Sequence, residues 1–310
     1  MSKRFLGQSG LEVSTLCLGG NVFGWTADEA TSHRILDTYT DAGLNFIDTA
    51  DVYSVWVPGH KGGESETVLG NWFKKSGKRE RVVLATKVGF RSNLKRDNIL
   101  QAVEDSLRRL QTDYIDLYWA HKDDPDTPMQ ETLETFAQLI KAGKVRAIGA
   151  SNFSGERLRQ ALELGKNGLP RYEALQPNYN MVERADYEQN LEPVVKEFGI
   201  GCTPYFSLAK GFLTGKYRSE ADLGQSPRGD GVKEYLNERG HRILGALDEV
   251  AAAHNSNPAR VALAWLIARP SVTAPIASAT KLNQLQDLIE SAKLQLTRDD
   301  ITKLDRASAA

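Results

Sequence analysis

The chain has 310 residues, 41% of them apolar and 25% charged, with a formal net charge of −1. That composition is ordinary for a folded protein with a large core, and the length allows two domains or one large barrel. No basic surplus points to nucleic acid or to an anionic membrane.

In chain order, MSKRFLGQSG at the N-terminus lacks an apolar stretch long enough for a signal peptide, and no run of about 18 apolar residues suggests a membrane span. Cys17 and Cys202 are far apart, each in an apolar segment. They read as free buried thiols, which places the chain in a reducing cytoplasm. Asn152-Phe153-Ser154 matches a glycosylation sequon, a chance match without secretion. Arg4–Val13, with Gly10 at its turn, predicts a hairpin closing the bottom of a barrel. Strand-like runs follow at Thr15–Gly20, Leu44–Asp48, Val82–Lys87, Ile115–His121, Val145–Ala150, Tyr172–Gln176, Gly199–Tyr205 and Val272–Ile276.

Between most of them the apolar spacing is helical, as in Ile99, Val103, Leu107, Leu110 and in Leu133, Phe136, Ala137, Ile140. Asp97 is expected to precede the first of these helices, and Thr127-Pro128 to open the second, with Gly143 as its stop. Eight strands alternating with helices predict an α/β fold, a (β/α)8 barrel. A doubly wound sheet would carry a Gly-rich turn after its first strand, and Gly19-Gly20-Asn21-Val22-Phe23-Gly24 does not fit G-x-G-x-x-G. Phe206–Gly240 and Ser54–Gly63 are the candidate insertions. With no repeat, low-complexity tract or linker, a single domain over residues 1–310 is expected.

Chemistry in such a barrel sits at the C-terminal ends of the strands. Strands two to seven end, in turn, in Asp48, Lys87, His121, Ser151-Asn152, Gln176 and Tyr205. Each alone has a structural explanation, such as a helix cap; their convergence on one rim favours function. A buried Asp48 needs a paired cation, and Lys87, one strand over, is the natural partner. A lysine beside Tyr53 favours phenolate and lowers the phenol pKa from about 10. Such a phenol can protonate a carbonyl oxygen and take the proton back, while His121 donates a hydrogen bond to the same oxygen. Asp51 has no assigned partner and is expected to cap the following turn. The electron pair implies a hydride donor, for which a nicotinamide is usual. Asn152 and Gln176 offer a donor and an acceptor each for its carboxamide, and Tyr205 can stack on its ring. Phosphate is expected at the helix start in PIASATKLNQLQD, beside Lys281 and Gln284. No H-E-x-x-H or Cys-x-x-Cys supports a metal.

These residues lie in stretches similar to the aldo-keto reductase superfamily. They are GLNFIDTA with Tyr53, Ser65-Glu66 and Leu69-Gly70, then LATK, IDLYWAH, GKVRAIGASNF, LQPNYN and LAKGFLTGKY, in order over essentially the whole chain. The chain resembles most the bacterial sugar-reductase type and the potassium-channel β-subunits. The resemblance implies a barrel and NADP(H)-dependent reduction of an aldehyde or ketone, a sugar-like one included. Tyr53 would be the general acid/base, Lys87 and Asp48 would tune it, and His121 would orient substrate. Ser151, Asn152 and Gln176 would hold the carboxamide and Tyr205 would stack. Ser207, Leu208, Lys210, Gly211, Arg228, Ser278, Thr280, Lys281, Gln284 and Asp287 would lie along the phosphates and adenosine. NADP(H) over NAD(H) rests on Lys281 and Arg228.

The chain departs from the family at Phe206-Ser207 (often Ser-Pro), at Ser278 (usually Gly) and at Leu288 (often Asn). Trp56 and His60, on a Tyr-to-Ser-Glu linker longer than in many relatives, either wall the substrate pocket or ride a mobile loop. Two other readings stay open. One is a Schiff-base aldolase on Lys87, opposed by the Asp48 pairing. The other is a cofactor-binding regulatory subunit with little turnover.

Overall fold

The computed structural model describes residues 2–226 and 229–309. Strand β1 (Lys3–Phe5) pairs antiparallel with β2 (Glu12–Ser14), setting Arg4 opposite Val13. Eight parallel strands follow: β3 (Cys17–Gly19), β4 (Phe46–Asp48), β5 (Val83–Val88), β6 (Ile115–Ala120), β7 (Val145–Ser151), β8 (Tyr172–Gln176), β9 (Gly201–Cys202) and β10 (Ile276–Ala277). Their order in the sheet is β10-β3-β4-β5-β6-β7-β8-β9. The two edges approach each other. Thr273 N–H donates to the Cys202 carbonyl at 2.7 Å, and Ile276 N–H to the Pro204 carbonyl at 2.9 Å. The expected α/β barrel is the observed fold.

Alternation within the strands sorts the side chains. Cys17, Phe46, Ala85, Leu117, Ala147 and Ala174 fill the interior with Leu6, Leu11 and Val13 of the hairpin, which plugs the bottom. One period further along the strands, the inward positions are Asp48, Lys87, Trp119, Gly149 and Gln176. The other strand face packs against the helices in two apolar clusters.

The helical spacing is borne out. Helix Arg96–Leu110 buries Ile99, Val103, Leu107 and Leu110. Asp97 lies in its first turn instead of preceding it, where a carboxylate suits the positive end of the helix dipole. Helix Met129–Lys141 starts after Pro128 and buries Leu133 and Phe136, with Leu139 in the place expected for Ile140. Gly143 follows it at φ +74°, a left-handed turn only glycine adopts freely. The eighth barrel strand is later than its apolar run suggests, because Pro275 has no N–H to give to a ladder. Within Phe206–Gly240 the chain forms 3-10 turns at Ala209–Thr214, Glu220–Gln225 and Gly229–Tyr235. Helix Glu238–Ala253 then starts inside that span, capped by Asn237. Among the described residues no helix is long and apolar enough to cross a membrane.

Candidate active site

The rim at the C-terminal strand ends holds one connected polar network. Lys87 is fully buried and its ammonium has three partners: Asp48 Oδ2 at 2.5 Å, the Thr49 carbonyl at 2.7 Å and the Tyr53 hydroxyl at 2.9 Å. An ammonium has three N–H bonds, so its orientation is fixed. Asp48 is as well satisfied. Its second oxygen accepts from Trp119 Nε1 at 3.1 Å and from Gln176 Nε2 at 3.0 Å. A buried carboxylate with three donors, one of them a cation, meets the conditions under which a buried pair is tolerated.

The charge states follow. Burial works against the Lys87 ammonium, but Asp48 and Tyr53 outweigh it and hold its pKa above the ordinary lysine value. A lysine held protonated is a poor Schiff-base nucleophile. Burial pushes the Tyr53 phenol above its ordinary value, with Lys87 pulling down and Asp48 pushing up. The net direction is therefore opposite to the one expected from Lys87 alone: the side chain rests as a phenol, the form that donates a proton. Burial, aided by Lys87, drives His121 well below the ordinary histidine value, so its imidazole is neutral. Its ring lies 6.1 Å from that of Tyr53, and its Nδ1 is buried without a hydrogen-bond partner.

The next strand ends form a second chain of contacts. Ser151 Oγ donates to the Gln176 carbonyl at 3.0 Å. Asn152, at φ +55°, donates through Nδ2 to the His121 carbonyl at 2.9 Å and to Ser151 Oγ at 3.0 Å. Its Oδ1 accepts from the Tyr205 hydroxyl at 2.8 Å. Tyr205, Asn152, Ser151 and Gln176 thus meet around one arc of the rim, next to His121, with the Tyr205 ring half-exposed. Gln176 commits one side-chain N–H to Asp48 and keeps its side-chain oxygen, Oε1, for a partner. This donor and acceptor set, a half-exposed ring and the orphaned His121 Nδ1 fit a nicotinamide carboxamide and a carbonyl oxygen.

The residues expected further out are spread along the same face. Ser207 is buried and donates to the Pro204 carbonyl at 3.0 Å. Leu208, Lys210 and Gly211 lie at a sharp bend, with Lys210 at φ +56° and Gly211 at φ +102°. Lys210 pairs with Glu234 at 3.0 Å. Across the seam, Ser278 Oγ donates to Asn21 Oδ1 at 2.6 Å. Gln284 Oε1 accepts from Thr280 N–H at 2.9 Å and Thr280 Oγ1 at 3.0 Å. Lys281 is exposed at the N-cap of helix Leu282–Ser291. Asp287 is held by Arg260 and Asn257, so it joins two helices. Arg228 lies outside the described residues.

Sequence reading missed Trp119. Its position two before His121 puts it on the same strand face, and that parity was the available signal. The Thr49 carbonyl was not foreseeable, since a backbone acceptor leaves no mark in a sequence. Also missed was a buried group behind the site, where Arg109 Nε bonds Glu66 Oε2 at 2.6 Å and Thr86 Oγ1 bonds Glu66 Oε1 at 2.5 Å.

Comparison with known proteins places the chain in a family. The model of the aldo/keto reductase family matches residues 15–309. The uncharacterized oxidoreductase YrpG of Bacillus subtilis (strain 168) is 36% identical over 98% of this chain and 95% of its own length. Protein tas of Escherichia coli (strain K12) is 34% identical over 96% and 94%. A putative voltage-gated potassium channel subunit beta of Schizosaccharomyces pombe is 32% identical over 97% and 92%. The chain belongs to the aldo/keto reductase family, a family of oxidoreductases that act on carbonyl groups.

Proposed function

We propose that this chain, folded as one domain, reduces an aldehyde or ketone to an alcohol with NADP(H), and that Tyr53 is its general acid/base. The observation that carries the reading is the Lys87 ammonium, fixed by Asp48 and Thr49 with its third N–H on the Tyr53 hydroxyl. Because Tyr53 accepts from Lys87, its own O–H is free to point at a substrate oxygen. When bound, the nicotinamide supplies the hydride to the carbonyl carbon. Tyr53 gives its proton to the carbonyl oxygen, and the phenolate left behind faces the Lys87 ammonium at contact distance, where its charge is stabilised. Asp48 keeps that ammonium in place. Neutral His121 donates from a ring nitrogen to the carbonyl oxygen and sets its orientation. In the reverse direction the phenolate takes the alcohol proton.

Ser151, Asn152, Gln176 and Tyr205 would hold the nicotinamide end. Lys281, together with Arg228, would meet a 2′-phosphate, which is the basis for NADP(H) over NAD(H). The cytoplasm is the compartment this chemistry and the two free thiols suit.

The test is NADPH and NADH oxidation over a panel of aldehydes and ketones. Tyr53→Phe should lose roughly 10²–10⁴-fold in kcat with NADPH binding retained, and Lys281→Ala should raise the KM for NADPH more than that for NADH. Unchanged turnover in Tyr53→Phe would remove Tyr53 from the mechanism. No observation favours a regulatory subunit without turnover.

A further inference from the structure

The loop between Tyr53 and helix Glu64–Ser76 is not a free surface loop. The Glu64 carboxylate accepts from three backbone N–H groups of that loop: Lys61 at 2.8 Å, Gly62 at 3.0 Å and Ser54 at 3.3 Å. Gly63 N–H donates to the Tyr53 carbonyl at 2.8 Å, and Ser54 Oγ is 2.9 Å from His60 Nδ1. Successive turns fill the span, with Val55 N–H on Val52 O, Val57 N–H on Ser54 O and His60 N–H on Val57 O. Burial opposes the Glu64 charge, but these backbone donors outweigh it and hold the carboxyl below the usual range. The loop is closed on itself around an ionised carboxylate, and His60 takes part in that closure.

The closure fixes Trp56. Its ring meets Tyr53 edge-on at 5.8 Å on one side and Trp25 at 5.6 Å on the other. Past Tyr53 the rings continue to His121, and from His121 to Phe90 at 4.7 Å. Five rings from four different strand-end loops thus run unbroken beside the hydroxyl that does the chemistry. Its two ionisable rings are a neutral phenol and a neutral imidazole. Within this run Trp56 is 44% exposed, and Phe90, at its far end, 49%. Large apolar faces left open beside a reactive group mark a surface that a ligand covers.

We propose that the Tyr53–Glu64 loop is the specificity element of the site. Trp56, positioned by Glu64, completes an aromatic wall that selects carbonyl substrates bearing a flat aromatic group over small polyhydroxylated ones. This rests on the carbonyl-reductase reading and narrows it, against the sugar-like substrate that the family resemblance implies. Flat rings stack on such a wall at little conformational cost, whereas a polyol must give up water to lie against it. The contrary case needs a cation for the phosphate of a phosphorylated triose; Arg91 is exposed and follows Phe90 in the chain.

The experiment measures NADPH-dependent reduction of 2-naphthaldehyde, glyceraldehyde and glyceraldehyde 3-phosphate by the full chain. The wild type should favour 2-naphthaldehyde in kcat/KM by more than about tenfold. Trp56→Ala should raise KM for 2-naphthaldehyde about tenfold, raise KM for glyceraldehyde much less, and leave kcat for 2-naphthaldehyde within about threefold. Trp56→Phe should restore part of the loss. Glu64→Gln should reproduce it and speed hydrogen exchange at the Ser54, Lys61 and Gly62 amides, which a simple loss of a contact at the wall would not do. Preference for glyceraldehyde or its phosphate, or an equal KM change for all three compounds, overturns the aromatic wall while leaving the reductase reading intact. If no carbonyl is reduced, the reductase reading fails, and calorimetric binding of 2-naphthaldehyde decides the wall alone. Weakening by Trp56→Ala then supports it, and unchanged binding overturns it.

Discussion

Asp51 is the residue whose role changed most. Its Oδ1 is buried and accepts no hydrogen bond, so the turn-capping role expected of it does not extend to that atom. Burial and the neighbouring Glu66 push its carboxyl up to about 7, against a pull from Arg109. An aspartate in the unfolded chain releases its proton near pH 4. Between about pH 4 and pH 7 the folded chain therefore binds more protons than the unfolded one, and stability falls as pH rises through that window. The full cost above pH 7 is on the order of 2–4 kcal/mol. Asp51→Asn should raise the melting temperature by several degrees at pH 8 and leave it nearly unchanged at pH 4; an equal gain at both would rule out titration as the cause. The contrast with Asp48 is instructive. Both acids lie in the same short stretch, but Asp48 is on the inward parity of a strand, where its partner could be named from the next strand. Asp51 sits on a loop, and a loop's path decides what surrounds it.

Strand β7 gives the site a second layer of support. A Cβ at Gly149 would lie 2.3 Å from the Trp119 ring, so the indole depends on that missing side chain. Trp119 in turn donates to Asp48, which holds Lys87. Gly149→Ala should push the indole away, cost about 1–3 kcal/mol in urea unfolding, and lower kcat by weakening the hold on Asp48. Loss of stability with kcat intact would show that Trp119 packs the barrel without serving the site. Period-2 alternation made β4 to β8 legible, and with them Asp48, Lys87, His121, Ser151 and Gln176. Alternation is weaker in two-residue strands, which is why the ends of β9 and β10 were misplaced. The turns of Phe206–Gly240 are held by local contacts such as Tyr217 on Ser226 at 2.6 Å, which follow no repeat in the sequence. The rigidity of the Trp56 loop was equally hidden, since it depends on one Glu64 carboxylate gathering backbone amides.

The closed barrel as a whole is legible as a count of strands, but the order of closure is seen only in three dimensions. The strand-end contacts that shut it join residues about seventy positions apart, Cys202 to Thr273 and Pro204 to Ile276. The two free cysteines lie at this join: Cys17 N–H donates to the Pro275 carbonyl on one side of β10, and the Cys202 carbonyl accepts from the other. Burial pushes the Cys202 thiol up to about 12 and raises Cys17 well above the usual thiol value, so neither is reactive in the folded barrel. The molecule therefore carries a matched pair of built-in timers. Under native conditions a thiol reagent should label each at the frequency with which the barrel momentarily unzips. Equal labelling rates would mean the two flanks part together, and a faster Cys202 would identify the β9 side as the place where the ring first comes undone.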